Sequence, residues 1–164
     1  MPHQPNQPIE ASHFSPDTLE FIRLLNIHRV QYVVVGGEAV IYHGYPRFTG
    51  DIDFFFSDSE ENIQALFAAL REFWSGNIPG IQSPQELAQP GVIIQFGRPP
   101  NRIDLLNRID AVPFRHAWKD KLELQITAPD SGIPLFMLDL QNLLRNKRAS
   151  ARPKDLDDVH VLEH

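Results

Sequence analysis

Two short, strongly apolar runs separated by a glycine pair limit the architectures open to this chain. Tyr32–Val35 is rich in β-branched residues and ends at Gly36-Gly37, which predicts a buried strand followed by a tight turn. A short helix is predicted over residues 38–43, because Gly44 and Pro46 then stop it. Asp51–Phe56 predicts a second buried strand. The chain should therefore pass from strand to helix and back to strand around the glycine pair.

Hydrophobic periodicity predicts further elements on both sides of this unit. Helices are expected over 15–28 and 59–73, where serines occupy the cap positions and apolar residues follow the 3.6-residue period. Strands are expected over 92–96, Arg102–Leu106 and Leu122–Thr127, a helical turn over Pro84–Ala88, and closing helices over 137–148 and 154–163. This order predicts an α+β (mixed α/β) fold in which helices pack on a mixed β-sheet.

The N-terminal residues differ in composition from the rest of the chain. Three prolines and three Gln or Asn residues fall within the first eight positions, which leaves almost nothing to bury. Residues 1–14 are therefore predicted to be a disordered leader, and 15–164 a single domain. A chain of 164 residues suits one domain of this kind.

Charge and composition exclude several classes of protein. The 15 basic and 21 acidic side chains give a net charge of −6, which excludes a uniformly basic nucleic-acid coat but not a local basic patch. The absence of cysteine excludes disulfides, cysteine–zinc sites and iron–sulfur clusters. No apolar run reaches the roughly 18 residues needed to cross a bilayer, and there is no secretory signal. We therefore expect a cytoplasmic protein without a membrane partner.

Asp51 and Asp53 are the first candidates for a functional site. Residues two apart on a strand project to the same face, so Ile52, Phe54 and Phe56 should face the core and both aspartates the other side. Two carboxylates about 4 Å apart repel each other by roughly 4 kcal/mol at an effective dielectric constant near 20. Either a cation or a shared proton offsets that repulsion, or the strand lies at a sheet edge and both groups are solvated.

Asp104 is a third candidate carboxylate. Ile103 and Leu105 should face the core, which places Asp104 on the opposite face of its strand. Either Asp104 pairs with Arg102 or Arg108 on an edge strand, or it joins the other two aspartates. Three carboxylates from neighbouring strands would form an oxygen-rich site suited to Mg²⁺.

The glycine pair and the C-terminal basic stretch are candidates for binding phosphate. A glycine turn before a helix lets backbone N–H groups approach an anion, although many strand-to-helix turns use glycine without a ligand. Lys147 extends the apolar stripe of the helix expected from Met137, so it either snorkels to solvent or points into a cleft. Asp155 and Asp158 share one helix face and could orient Lys147 or Arg152.

The spacing of these residues resembles a known superfamily. The superfamily motif is matched by Gly36-Gly37, Ala39, His43-Gly44, Arg47, Thr49 and Asp51-Ile52-Asp53. Residues 143–158, which are first basic and then acidic, are similar to the C-terminal motif of one branch of the superfamily. The superfamily is that of the nucleotidyltransferases that includes DNA polymerase beta. The branch is the minimal bacterial one, with the AbiEii-type toxins and the lincosamide-type antibiotic nucleotidyltransferases.

The resemblance implies roles for individual residues. Asp51 and Asp53 would bind Mg²⁺ (or Mn²⁺), with Asp104 as a general base or second-metal ligand and Lys147 as a phosphate-binding charge. Arg47 and Thr49 precede the two aspartates and either contact phosphate or stabilise their loop. The predicted nucleotide site comprises Gly36, Gly37, Arg47, Thr49, Lys147, Arg152, Asp155 and Asp158.

The resemblance also implies a reaction. The chain would move a nucleoside monophosphate from a nucleoside triphosphate to a hydroxyl of RNA, of a protein or of a small molecule. Within that branch it could be the toxin of a toxin–antitoxin pair, with a cognate antitoxin as partner. The alternatives are an inactive nucleotide- or partner-binding module of the same fold, or an antitoxin-like interaction protein.

Overall fold

A computed structural model describes residues 6–127 and 132–164. Among these residues it has seven strands: β1 (Ile9–Glu10), β2 (Tyr32–Val35), β3 (Asp51–Phe56), β4 (Ile93–Phe96), β5 (Arg102–Leu106), β6 (Leu122–Thr127) and β7 (Ile133–Met137). The helices are α1 (Pro16–Ile27), α2 (Gly36–Tyr42), α3 (Glu60–Phe73), α4 (Phe114–Asp120), α5 (Leu140–Ser150) and α6 (Pro153–Glu163). Short 3₁₀ turns cover Ala11–His13 and Pro84–Ala88.

The strands form one mixed sheet in the order β1-β6-β7-β2-β3-β5-β4. The pairs β1–β6, β2–β7 and β3–β5 are parallel, and β2–β3, β4–β5 and β6–β7 are antiparallel. This confirms the predicted α+β fold with a mixed sheet packed by helices. Both strands that carry the candidate aspartates, β3 and β5, lie inside the sheet.

Helices cover both faces of β3. On one face, the ring of Phe54 packs edge-on against Phe21 of α1. On the other face, Phe55 packs against Phe114 of α4, so Phe55 is buried as completely as its neighbours. Strand alternation therefore directs Ile52, Phe54 and Phe56 away from the two aspartates, as the sequence predicts. On the face where Phe55 is covered by Phe114, Asp51 and Asp53 are only partly buried.

Several helix starts confirm the capping signals. The Ser15 hydroxyl accepts a hydrogen bond from the Thr18 N–H and precedes a proline in the first turn of α1. The Ser59 hydroxyl accepts from the Asn62 N–H at the start of α3. The strands Asp51–Phe56, Arg102–Leu106 and Leu122–Thr127 and the turn Pro84–Ala88 have the predicted bounds.

One predicted helix begins too early. Met137 was expected to open the penultimate helix, but it is the last residue of β7, a strand that the sequence analysis did not predict. The helix α5 begins at Leu140, after Asp139 accepts a hydrogen bond from the Asn142 N–H. Met137 therefore belongs to the core of the sheet, where it is opposite Val34 of β2. The short helix α4 was also not predicted.

The leader prediction is wrong for residues 9–13, which lie in β1 and the adjoining 3₁₀ turn. Ile9 and Glu10 pair with Ile126 and Thr127 at the edge of the sheet. Backbone hydrogen bonding to an open sheet edge orders this segment although it has few side chains to bury. The predicted disorder of residues 1–5 lies outside the described residues. Among the residues described, no helix has the length and apolarity needed to span a membrane.

Candidate metal and nucleotide site

The pairing of β3 with β5 brings the three predicted carboxylates together. The strands run parallel with Asp53 opposite Asp104 and Asp51 opposite Arg102. Asp51 and Asp53 are two residues apart and so share a face, and Asp104 joins them from the next strand. One oxygen of each carboxylate lies within 4.8 Å of the others. Because both strands are interior, the alternative of solvated aspartates on an edge strand is wrong.

Burial makes ionisation of the central carboxylate unfavourable. Burial of Asp53 is the largest cause, and the negative charges of Asp51 and Asp104 add to it; together they raise the pKa of Asp53 to about 7. Asp104 is itself buried, with 6% of its surface exposed. The site therefore concentrates negative charge in a place of poor solvation, which favours a bound cation or a retained proton.

Arg102 supplies part of the missing positive charge. Its Nη2 donates to Asp51 Oδ2 at 2.6 Å, and its Nε donates to Asp104 Oδ1 at 2.9 Å. The Arg102 pairing considered for Asp104 from the sequence is thus present, together with a longer bond of 3.4 Å from Gln95 Nε2 to Asp104. One guanidinium faces three carboxylates, so the group retains an excess of negative charge.

The first glycine of the pair fits closely against this acidic group. Antiparallel pairing places Val35 opposite Asp53, so Gly36 follows directly beside the Asp53 carboxylate. Gly36 has φ +67°, and a Cβ at this position would meet Asp53 Oδ2. Glycine is required here both by its backbone conformation and by the close approach of the aspartate.

The second glycine lets the loop before β3 close over α2. A Cβ on Gly37 would lie 2.6 Å from Thr49 Oγ1, and the guanidinium of Arg47 is the next neighbour. The Thr49 hydroxyl donates to Asp51, 3.2 Å from its backbone carbonyl oxygen and 3.3 Å from Oδ1. Thr49 therefore stabilises the loop, and both Thr49 and Arg47 lie beside the first turn of α2. Contact of either residue with phosphate stays a prediction.

Lys147 lies at the centre of a buried ion cluster. Its Nζ is 3.2 Å from Asp155 Oδ1 and 3.1 Å from Asp158 Oδ2, and both carboxylates are fully covered. Arg47 Nη2 reaches Asp158 at 3.2 Å, and Arg152 Nε reaches Asp155 at 2.7 Å. The cluster joins α5, α6 and the loop before β3. Asp155 and Asp158 thus contact Lys147 and Arg152, the two cations that the shared helix face suggested, and Asp158 also contacts Arg47.

The charges within this cluster support one another. Burial alone would raise the pKa of Asp155, but the hydrogen bonds from Arg152 and Lys147 and the charges of these two residues together outweigh it and hold that pKa below its ordinary value. The Nε of Arg47 is buried and has no hydrogen-bond acceptor among the described residues. By contrast, Asp157 is exposed and accepts a hydrogen bond from the Tyr45 hydroxyl at 2.8 Å.

A cleft of about 410 Å³ joins the acidic group to this cluster. Gly36 and Asp53 form one wall, and Lys147 and Arg152 form another. Its remaining lining includes Ile93, Leu106, Arg108 and Asp110. Of these, the sequence suggested only Arg108, as a possible partner of Asp104. Arg108 and Asp110 follow the end of β5, and no local pattern in the sequence marks them as part of a cleft. A volume in this range is typical of pockets for small ligands.

A second pair near the site was missed because it involves the predicted leader. His13 Nε2 lies 2.7 Å from Glu38 Oε2, and this hydrogen bond raises the pKa of His13. Both residues line a narrow space that also contacts Asp51 and Arg102. Only the ordering of residues 9–13 on the sheet edge brings His13 to this position.

The chain matches one protein-family model. The family is described as "Nucleotidyltransferase of unknown function (DUF6036)", and the match covers residues 18–163. This span includes every residue predicted for the site. None of the curated proteins compared with the sequence matches it.

Proposed function

The chain belongs to this family of nucleotidyltransferases, and from that membership we propose that it transfers a nucleoside monophosphate from a nucleoside triphosphate to an acceptor hydroxyl, with Mg²⁺ or Mn²⁺ as cofactor. The observation that carries the proposal is the convergence of Asp51, Asp53 and Asp104 beside Gly36. The likeness to the AbiEii-type branch is a finer prediction and is not needed for it.

The chemistry of the three carboxylates fits a divalent metal ion. Mg²⁺ and Mn²⁺ prefer oxygen ligands and are commonly held by a few carboxylates together with substrate phosphates. The poorly solvated Asp53 gains most from such an ion, because burial and its acidic neighbours oppose its ionisation otherwise. When bound, the ion would stabilise negative charge on the attacking and leaving oxygens.

The neighbouring cleft suits the triphosphate. Lys147 and Arg152 bring positive charge to one wall, and the apolar side chains of Ile93 and Leu106 offer a surface for a nucleobase. The Arg47 Nε has no acceptor within the described part of the chain, and a phosphate oxygen beside the first turn of α2 would provide one. We infer that Lys147 acts from a position fixed by Asp155 and Asp158.

The proposed reaction is a displacement at the α-phosphorus. The acceptor oxygen forms a new bond to this phosphorus, the bond to the oxygen that bridges the α- and β-phosphates breaks, and pyrophosphate leaves with that oxygen. The hydroxyl proton passes to a carboxylate of the acidic group, for which Asp104 is the candidate. Positioning and charge stabilisation supply most of the catalysis in reactions of this class.

The class of acceptor is to be identified by experiment, because the proposal is the same for each of them. RNA, a protein and a small molecule are the three candidates, and a toxin role with a cognate antitoxin is a prediction of the resemblance alone. A cytoplasmic location belongs to the same proposal, because the donor is a nucleoside triphosphate.

Transfer of a labelled nucleotide tests the proposal. The protein is incubated with each α-³²P-labelled triphosphate, Mg²⁺ and a cell extract, and the RNA, protein and small-molecule fractions are separated. We expect label in one fraction with wild type and with the control variant Asp58→Asn, because Asp58 is an exposed aspartate in the loop between β3 and α3. We expect none with Asp53→Asn. Equal transfer by Asp53→Asn would contradict the site, and no transfer by folded wild type would contradict the activity.

A second candidate function is favoured by Arg102. Because this guanidinium already neutralises part of the acidic group, the fold could serve as a nucleotide-binding module without transfer. That candidate predicts binding of a nucleoside triphosphate with no labelled product and with no requirement for a divalent ion.

A further inference from the structure

Arg102 contacts three of the carboxylate oxygens in the acidic group formed by Asp51, Asp53 and Asp104. Its Nη2 is shared between Asp51 Oδ2 at 2.6 Å and Asp104 Oδ2 at 3.1 Å, while its Nε donates to Asp104 Oδ1 at 2.9 Å. The contact with Asp104 is therefore bidentate, the strongest geometry for a guanidinium and a carboxylate. Two of the three aspartates are bound by a single side chain.

The sheet register makes this arrangement specific to position 102. Arg102 is opposite Asp51 across the β3–β5 pair, and it is two residues before Asp104 on its own strand. Residues two apart on one strand face the same side of the sheet, as do residues directly opposite across a strand pair. An arginine at the first residue of β5 thus reaches both carboxylates without leaving the face of the sheet on which they lie.

We propose that Arg102 is the internal counter-ion of the acidic group, which holds Asp51 and Asp104 together in the metal-free protein and releases them when a divalent ion binds. This inference rests on the metal site of the proposed function. A guanidinium that donates hydrogen bonds to an oxygen lone pair keeps a metal ion from binding the same lone pair, and two cations at contact distance repel each other. Arg102 is partly exposed, with 28% of its side chain accessible, so solvent lies beside the position it leaves.

The proposal has an unusual consequence for affinity. Loss of a positively charged side chain at a cation site should strengthen metal binding, because the metal no longer has to displace a bound competitor. The same loss should weaken the metal-free fold, because three neighbouring carboxylates then lack their counter-ion. A residue that only braced the aspartates for the metal would have the opposite effect on affinity.

Titration with Mn²⁺ alone tests the inference in the full chain. Wild type, Arg102→Gln and Arg98→Gln are compared by calorimetry and by the electron paramagnetic resonance signal of free Mn²⁺. Arg98 is an exposed arginine in the turn before β5, so its variant makes the same charge change away from the carboxylates. We expect the Mn²⁺ Kd of Arg102→Gln to be at least tenfold lower than that of wild type, and Arg98→Gln to differ from wild type by less than twofold.

Two further readouts separate a counter-ion from a structural brace. Without metal, Arg102→Gln should melt at a lower temperature than wild type, and saturating Mn²⁺ should remove most of that difference. In ¹⁵N-labelled wild type, the Nε–H resonance of Arg102 should shift when diamagnetic Mg²⁺ is added, since its carboxylate acceptors are lost. If Arg102→Gln does not fold without metal, the same titration is carried out on Arg102→Lys. This variant keeps a positive charge but loses the bidentate contact, and it should bind Mn²⁺ more tightly than wild type.

The outcomes distinguish this inference from the proposed function. Equal or weaker Mn²⁺ binding by Arg102→Gln, with clear binding by wild type, would overturn the counter-ion role and leave the metal site in place. No Mn²⁺ binding by any of the folded proteins would overturn both. Tighter binding by Arg102→Gln but not by Arg98→Gln would establish Arg102 as the competitor of the metal.

Discussion

Asp53 is a carboxylic acid that the fold keeps close to half-ionised near neutral pH. Burial, and then the charges of Asp51 and Asp104, raise its pKa from 3.8 to about 7. The folded protein therefore retains this proton over a pH range in which the unfolded chain has released it. The sign of the linkage follows: the stabilising contribution is complete below the unfolded pKa and is lost as the pH rises through about 7.

Asp53→Asn should therefore stabilise the metal-free protein in a pH-dependent way. At pH 8 we expect the free energy of unfolding to rise by about 1–3 kcal/mol, because the variant removes an unfavourable buried charge. At pH 5 the gain should be clearly smaller, because folded wild-type Asp53 still keeps its proton there and only the ionisation of the unfolded chain separates the two proteins. Urea unfolding at both pH values in the presence of a chelator measures this, with Asp58→Asn as the control. An equal gain at both pH values would show that charge is not the cause.

The same proton should compete with the metal. A divalent ion requires the ionised form of Asp53, so Mn²⁺ affinity should fall as the pH drops below about 7. For one competing proton the Kd rises about tenfold per pH unit below the pKa and levels off above it. Calorimetry in buffers of different ionisation enthalpy should also detect release of up to one proton near pH 6. A Kd that is constant from pH 5.5 to 8 would contradict the assignment of Asp53 as a ligand.

At the scale of the elements, the pairing of β3 with β2 and β5 and the first residue of α2 set the shape of the site. Gly36 combines a positive φ with a Cβ position that Asp53 Oδ2 fills. Gly80 has nearly the same conformation, with φ +73°, but no atom within 4 Å of its Cβ position. Substitution of both glycines by alanine therefore distinguishes the cost of backbone strain, which the two positions share, from the cost of steric overlap, which only Gly36 has.

Gly36→Ala should consequently cost more than Gly80→Ala. We expect about 1–2 kcal/mol for the backbone strain in either variant, and about 1–3 kcal/mol in addition for overpacking at position 36. Gly36→Ala should also weaken Mn²⁺ binding, because the methyl group displaces the Asp53 carboxylate, whereas Gly80→Ala should not. Urea unfolding and metal titration of both variants measure these effects. Equal losses of stability would show that the contact between Gly36 and Asp53 does not limit the site.

The helix pair α5–α6 depends on the buried charges between its members. Asp158 is 1% exposed and binds both Lys147 and Arg47, while the adjacent Asp157 is exposed and contacts only the Tyr45 hydroxyl among the contacts described. Asp158→Ala should lower the free energy of unfolding by about 3–5 kcal/mol, since it leaves buried cations without a partner. Asp157→Ala should cost at most about 1 kcal/mol. Similar losses in the two variants would mean that the cluster does not hold the helices together.

Local sequence patterns predicted the elements whose signals are local. The alternation of aspartate and apolar residues in β3 indicated correctly which side chains share a face. The start of α5 was placed too early because Met137 continues the apolar stripe of a helix in the sequence, while in the fold β7 pairs with β2 and β6 and extends to that residue. Strand pairing is a long-range interaction, and it overrode a helical period here.

At the scale of the whole molecule, the sequence predicted the candidate site residues better than it predicted the contacts that hold those residues in place. Asp51, Asp53 and Asp104 were expected together, and the parallel register of β3 and β5 brings them together. The bond from Arg47 to Asp158 joins positions 111 residues apart, and the contact between His13 and Glu38 depends on a strand at the opposite edge of the sheet. No local pattern encodes such contacts, because they exist only after the sheet and the helix pair have assembled.

Nucleotide and metal should bind this assembly cooperatively, because Asp53 contributes to both the acidic group and the adjoining cleft. A triphosphate without metal is repelled by the three carboxylates, and a metal without triphosphate must displace Arg102 unaided. We therefore expect a non-reactive ATP analogue with a methylene bridge between the α- and β-phosphates to raise Tm much more with Mg²⁺ than the sum of the two separate shifts. In Arg102→Gln the Tm shift caused by Mg²⁺ alone should be larger than in wild type. The amount by which the combined Tm shift exceeds the sum of the separate shifts should be smaller. Additive shifts in wild type would mean that the two ligands bind independently, and the shared carboxylate would then not couple them.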